Sequence, residues 1–459
     1  MRHIAVIDIG KTNAKLLHVD LATGAEVTVA RRGNPVRTEG PYPHFDAGQL
    51  WQFLLASLRD LASGQTVDAI SVTTHGACAA LVDCTGELAL PILDYEFGGP
   101  DDLAAEYDAL RPDFSETGSP RLPLGLNLGA QLYWLAQRFP DAFARARHIL
   151  TYPQYWSFRL TGVAAAEATS LGCHTDLWRP RQGDFSALVD RMGWRPLFPP
   201  LRPAASVLGP VLPAIAAATG LGAGTPVLSG IHDSNASLVP HLAGAGPRAV
   251  VSTGTWMIAM ALGAAAPVLD PGRDTLVNVN AAGAPVPTAR YMAGREFEEL
   301  TAGRSTRPDE AALAAVIRDG VMALPSLHPD TGPFPGRQFG WVPRPCDDDA
   351  GCTAAASLYT ALMGAECLSL IGADGPTIVE GPFAANLAFA RMLATATGRP
   401  VHLAGEGAGT GLGAALLAGP LTAARPAARV ILPETAAPWH AYVAVWRQAV
   451  SGGGAGAGR

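Results

Sequence analysis

The sequence predicts an α/β protein of two domains, and three observations predict it. Apolar strand segments alternate with helical patterns along most of the chain, which argues for a mixed sheet covered by helices. A strand, a small polar turn and a second strand occur at 4–17 and again at 249–259. The chain is 459 residues long, more than one hydrophobic core usually spans. A Gly/Ala/Pro-rich stretch from Leu242 to Pro247 offers a boundary, giving expected domains at 1–242 and 243–450. Residues 451–459 are nearly all Gly and Ala and are expected to be a disordered tail.

The elements follow in order. Val6, Ile7 and Ile9 are strand formers and Gly10 allows the bend into a second strand from Asn13. Residues 26–30 read as a third strand, so the chain opens with three antiparallel strands that need later parallel partners. Leu50, Phe53, Leu54 and Leu58 recur at helical spacing over 47–61. Residues 69–73 form a short apolar strand ending in Thr74-His75-Gly76-Ala77, and 91–123 is loop-rich. From 130 to 162 the pattern is helical, with Trp134, Tyr155 and Trp156 expected in the core. A strand over 225–231 leads to His232-Asp233-Ser234-Asn235, which reads as a helix start. In the second half, strands are expected at 377–379 and 400–403 and helices at 310–316 and 354–371. The glycine run 405–413 closes the series.

Composition narrows the function. The net charge is −7 and no basic run or basic–aromatic interleaving occurs, which argues against a nucleic-acid surface. The six cysteines form no C-x-x-C pair and read as reduced structural thiols. No apolar run reaches membrane length and no secretory leader is evident, so a cytoplasmic protein is expected. Among 33 Lys and Arg residues, Lys11 and Lys15 alone are lysine, and both fall in the first turn. A compact ammonium is a good point charge for phosphate.

That turn, Gly10-Lys11-Thr12-Asn13 with Lys15, offers backbone N–H groups, a hydroxyl, an amide and two ammonium groups, a cradle for phosphate oxygens. Asp8 at the strand end is placed to hold Mg²⁺ through water. Thr253-Gly254-Thr255 is the matching turn in the second half. The set is not a Walker loop, because Ala5 stands where its first glycine belongs. Gly409, Gly411 and Ala414 fit the loose dinucleotide fingerprint, which keeps an oxidoreductase among the alternatives. Asp233 is the candidate general base for moving a phosphoryl group to an alcohol, or simply a helix cap. His75 and His232 read as substrate partners or structural histidines.

Taken together, these motifs resemble the FGGY carbohydrate kinases of the actin-like ATPase superfamily. Asp8 to Asn13 resembles the first phosphate motif, Thr253 to Thr255 the second, and Gly230 to Asp233 the catalytic-base motif. Glu380 to Asn386 and Gly411 to Ala415 resemble the adenosine-side motifs. The resemblance implies two RNase H-like domains around a central cleft that closes over a sugar and ATP with Mg²⁺. It implies Asp233 as base, Asp8 toward the metal, and Gly381, Asn386 and Gly411 toward the nucleotide. His75, Gly76, Asp94 and His232 would face the sugar. The Thr74 to Ala77 and His232-Asp233 combinations are closest to the rhamnulose and fuculose kinase branch, favouring a ketose such as a deoxyketohexose or ketopentose. Lys11 stands where many members have threonine, and Glu380 where glycine is usual. The alternative within the same fold is a nucleotide-binding regulator without catalysis. A small-molecule sugar is the expected partner, and a homodimer is compatible with the sequence.

Overall fold

The computed structural model describes residues 1–244, 246–265, 267–304, 306–404, 409–422 and 428–452. The chain forms two compact units. The first comprises Met1–Ala243, Val277–Pro285 and Gly407–Arg425, and the second Gly244–Leu276, Val286–Glu406 and Pro426–Arg459. The division expected from sequence gave each domain one continuous stretch; the chain instead returns to the first unit twice.

The first unit is built on β1 (His3–Ile9), β2 (Asn13–Asp20), β3 (Ala25–Gly33), β4 (Ala69–Thr74), β5 (Val207–Pro210), β6 (Pro226–Leu228) and β7 (Ile231–His232). The sheet order is β5-β6-β4-β1-β2-β3, with β7 also pairing with β4. β1, β2 and β3 are antiparallel, while β4 runs parallel to β1, β6 and β7. Period-two alternation divides β1 between two cores. Ala5, Ile7 and Ile9 pack with Leu50, Leu54 and Leu58 of α1 (Ala47–Gly64), and Ile4 and Val6 face the opposite way. Asp46 caps α1, its carboxylate accepting from Gln49 N–H at 2.9 Å.

The helical stretch expected over 130–162 is three helices, α2 (Leu128–Arg138), a short one at Pro140–Ala144 and α3 (Tyr152–Thr161), with a strand, His148–Thr151, before the last. Trp134, Tyr155 and Trp156 are buried as expected, while Phe139 and Phe158 are half-buried. The strand expected over 225–231 is also interrupted. Gly230 has φ +92, and the Ser229 and Gly230 carbonyls turn aside to accept from Gln154 of α3, each at 3.1 Å. The interruption lets β7 continue beside β4 and lead into a short helix, α5 (Asp233–Ala236), while another, α4 (Ala168–Leu171), packs against β7.

The second sheet has β8 (Arg248–Thr253), β9 (Met257–Leu262), β10 (Thr275–Val279), β11 (Pro285–Tyr291), β12 (Thr377–Glu380), β13 (Val401–Leu403) and β14 (Arg429–Ile431), of which Val277–Val279 and Pro285 fall in the first unit and the rest in the second. Their order is β10-β11-β9-β8-β12-β13-β14. An antiparallel β8–β9 hairpin with parallel β12 on its other side repeats the β2–β1–β4 pattern of the first unit. Helices α6 (Ala293–Thr301), α7 (Asp349–Leu370) and α8 (Leu387–Thr397) cover it. α7 buries nearly every side chain along its length, including Leu358, Tyr359 and Leu362, against Phe389 and Leu393 of α8.

The part of the glycine run at 405–408 lies outside the described residues. The rest begins α9 (Thr410–Leu416), which belongs to the first unit. Leu412, Ala414 and Ala415 pack on Ile4, Val6, Leu17 and Ile231, and Ser71 Oγ donates to the Ala414 carbonyl at 2.7 Å. The last helix, α10 (Ala437–Gly452), includes Ser451 and Gly452, which the sequence assigned to the tail; residues 453–459 are not among those described. Among the described residues, no helix is long and apolar enough to cross a membrane.

Candidate active site

In the first unit, the C-terminal ends of β1, β4 and β7 lie side by side, because Asp8 and Ile231 both register with Thr73, and Ile9 and His232 with Thr74. The carboxyl ends of parallel strands are where α/β sheets gather ligands. Here they gather Asp8, His75, His232 and Asp233 from three distant points of the sequence.

Asp233 is the first residue of α5. Its Oδ1 accepts from Ser234 N–H at 2.5 Å and lies 3.3 Å from His232 Nε2. Asn235 Nδ2, which can only donate, is 3.2 Å from His232 Nδ1. That leaves the ring proton on Nε2, directed at Asp233. Burial holds His232 neutral by lowering its pKa to about 4. Burial raises the Asp233 carboxyl, opposed by nearby His75. The Asp233 side chain is still 31% exposed, so a substrate hydroxyl can reach it. Gly76 sits against the His232 ring, with no room for a side chain there.

Asp8 is raised by burial and by the neighbouring Asp233, and lowered by Lys15, whose Nζ is 3.6 Å from Asp8 Oδ2. Sequence reasoning overlooked Glu26 of β3. Burial and Asp8 raise it, while Lys15 and the N–H of Leu412 in α9 favour its ionised form. Its local sequence is an ordinary strand edge, so no signal marked it.

In the turn after β1 several of the polar groups bond to one another or to neighbouring side chains. Gly10 N–H donates to Asn13 O at 2.8 Å. Asn13 Nδ2 donates to Thr12 Oγ1 at 2.9 Å and Asn13 Oδ1 accepts from Arg31 at 3.1 Å. The two lysines point apart. Lys15 faces Asp8, whereas Lys11 pairs with Asp94 and lies 3.1 Å from Glu96. The Lys11 ammonium also stands over the rings of Tyr95 at 4.7 Å and Phe45 at 5.1 Å. His75 packs on the same two rings and on Tyr152. Burial lowers its pKa to about 4, its Nδ1 lies 2.9 Å from the Gly76 carbonyl, and its buried Nε2 has no hydrogen-bond partner.

The second unit holds a cavity of about 760 Å³, within the range of small-molecule sites. Gly254, Thr255 and Asn386 line it together with Phe297, Phe383 and Arg304. Asn386 caps α8 through Phe389 N–H at 3.1 Å and donates to Ser357 Oγ at 2.9 Å. The Thr253 hydroxyl donates to the Glu380 carbonyl and accepts from Phe383 N–H at 3.2 Å. Gly381 lets that contact form: a Cβ there would lie 2.0 Å from Thr253 O. A Cβ at Gly411 would meet Glu26 Oε2 at 2.4 Å and Leu17 Cδ1 at 2.5 Å, so α9 packs closely on β2 and β3 at this glycine. The apolar and arginine lining of the cavity (Phe297, Arg295, Arg304, Arg307) was not foreseen, because it comes from a loop and helix without a local motif.

Comparison with known proteins places the chain. The family profile for the N-terminal domain of the FGGY family of carbohydrate kinases matches residues 3–240, and that for the FGGY C-terminal domain matches 245–427. A solved carbohydrate kinase from Novosphingobium aromaticivorans is 39% identical, with a TM-score of 0.90 over 99% of both chains. Plasmodium falciparum glycerol kinase with ADP shares the fold at 15% identity, with a TM-score of 0.79 over 99% of both chains. L-fuculokinase of Salmonella typhi is 28% identical over 268 residues, and the match spans 56% of this chain and 56% of that enzyme. With both domain profiles matched in order across most of its length, this chain belongs to the FGGY family of carbohydrate kinases.

Proposed function

We propose that this protein transfers the γ-phosphoryl group of ATP to a hydroxyl of a ketose, a deoxyketohexose or ketopentose, with Asp233 as general base. The observation that carries the reading is Asp233 itself. It is a half-open carboxylate at the end of parallel strands, oriented by a neutral histidine and lying near a second carboxylate, Asp8. Asp233 accepts the hydroxyl proton as the sugar oxygen forms its bond to the γ-phosphorus. The bond from that phosphorus to the bridging oxygen breaks and ADP departs.

The cavity beside Gly254, Thr255 and Asn386 suits the nucleotide, its aromatic walls taking a base and its arginines an anionic chain. Mg²⁺ usually takes one or two carboxylates and fills its shell with phosphate oxygens and water. Asp8, with Asp233 nearby, fits that requirement. Among the described residues no group of three or more potential ligands offers a full cage. Bound Mg²⁺ would offset charge on the phosphates; Asp8 would hold it and Lys15 would hold Asp8. The likeness to L-fuculokinase supports a ketose acceptor.

The test is an ADP-release assay over ketopentoses, deoxyketohexoses and polyols. Sugar-dependent ADP release is expected from a ketose. ATP binding without release across the whole panel would overturn the reading in favour of a non-catalytic nucleotide binder.

A further inference from the structure

We infer that Lys11, although it sits in the phosphate-like turn, serves the sugar acceptor, and that with Asp94, Glu96 and His75 it selects an uncharged sugar over a sugar acid. The inference rests on the reading that Asp233 faces the acceptor.

The geometry separates the two lysines of the turn. Lys15 is across the strand pair from Asp8, on the side where phosphates and metal are expected. The Lys11 ammonium is bound by Asp94 and lies 3.1 Å from Glu96, over the Tyr95 and Phe45 rings. Those rings also hold His75, which is within electrostatic reach of both Lys11 and Asp233. One cluster therefore runs from Lys11 through His75 to the proposed base.

Its charge decides what it accepts. Lys11 contributes one positive charge and Asp94 and Glu96 two negative ones, with Asp233 adding a third. An incoming carboxylate or phosphate meets a net negative wall and a cation already paired. A neutral hydroxyl meets complementary groups. An ammonium has three N–H donors, Asp94 accepts, and His75 Nε2 is a buried polar atom with no partner. A sugar hydroxyl is both donor and acceptor and satisfies that atom, while the aromatic rings suit the C–H face of a sugar. A site built to pair buried polar groups discriminates strongly, since the wrong ligand leaves them unpaired.

The experiment measures binding and turnover separately. Calorimetric titration of the full-length protein uses neutral ketoses, the aldonates and ketoaldonates of equal carbon number, and a non-hydrolysable ATP analogue. Wild type is expected to bind a neutral ketose at least tenfold more tightly than its acid counterpart. Lys11→Met is expected to weaken ketose binding tenfold or more and to change affinity for the ATP analogue less than twofold. Loss of analogue affinity with ketose binding intact would return Lys11 to the phosphates and overturn the inference, as would no change in either. Because Lys11→Met leaves two carboxylates facing each other, a second variant guards against misfolding. Glu96 is 60% exposed, and Glu96→Gln is expected to raise relative affinity for the sugar acid tenfold; an unchanged ratio would overturn the charge argument. If the binding results hold and wild type releases no ADP with any sugar, the kinase reading fails and the acceptor-site assignment stands.

Discussion

A single carboxylate carries the chemistry proposed for this protein, so the first prediction concerns Asp233. Asp233→Asn keeps an oxygen for the Ser234 N–H and removes the base. Turnover is expected to fall about 10²-fold or more with affinity for the ATP analogue retained, read by ADP release and calorimetry. Near-normal turnover would leave Asp233 as a helix-terminal residue alone. A second buried acid gives a pH test. Glu167 is fully enclosed at the head of α4, bonded to Thr169 N–H and hydroxyl and to Ser170 N–H, and burial raises its pKa to about 7. Between its ordinary value and 7 the folded state holds a proton that the unfolded state has lost. Glu167 therefore costs stability as pH rises through that window. Glu167→Gln removes the dependence. Wild type should lose up to about 3 kcal/mol relative to the variant from pH 5 to 8, measured by urea midpoints; parallel curves would contradict it. At this scale the sequence placed Asp8, His75 and Asp233 at or just beyond strand ends, and the sheet brings those ends side by side. It grouped Lys11 with Lys15 in the phosphate turn and did not foresee its pairing, because which way a turn side chain points depends on Asp94 and Glu96, more than eighty residues away.

At the scale of elements, α9 and the turn before α8 show how tightly backbone packing constrains the site. A Cβ at Gly413 would lie 1.8 Å from the Ala236 carbonyl of α5. Gly to Ala within a helix normally gains about 1 kcal/mol in propensity, but no non-bonded contact survives at that distance and α5 must move. Overpacking of this kind costs about 1–3 kcal/mol. Gly413→Ala should therefore lower the melting temperature and, since α5 begins with Asp233, lower turnover as well. An unchanged melting temperature would refute it. Gly381 combines φ +81 with the close Thr253 carbonyl. Gly381→Ala is expected to weaken binding of the ATP analogue by disturbing the Thr253 turn and the adjoining cavity. Many element types were legible from periodicity and turn residues, while α6 and α10 were not read from the sequence. The interruption at Ser229-Gly230 was not, because it is imposed by Gln154 on a separate helix.

At the scale of the whole molecule, continuity in sequence does not match continuity in space. The boundary composition near 242–247 was readable, and the chain does change units after Ala243. What local pattern could not carry was the return of α9, whose small, apolar residues suit any close-packed helix. A fragment ending at Ala243 lacks that helix and leaves Ile4, Val6, Leu17 and Ile231 without their cover. Such a fragment is expected to show secondary structure by far-ultraviolet circular dichroism, weak near-ultraviolet signal and strong binding of a hydrophobic dye. A well-packed fragment with a sharp thermal transition would show that α9 is dispensable.

The bond from Ser71 to Ala414 joins residues 343 positions apart. During synthesis, the opening strands leave the ribosome long before the helix that shields them. At typical elongation rates that interval lasts tens of seconds. Throughout it, the nascent polypeptide presents a greasy half-finished surface, a natural target for chaperones or for premature association with neighbouring nascent chains.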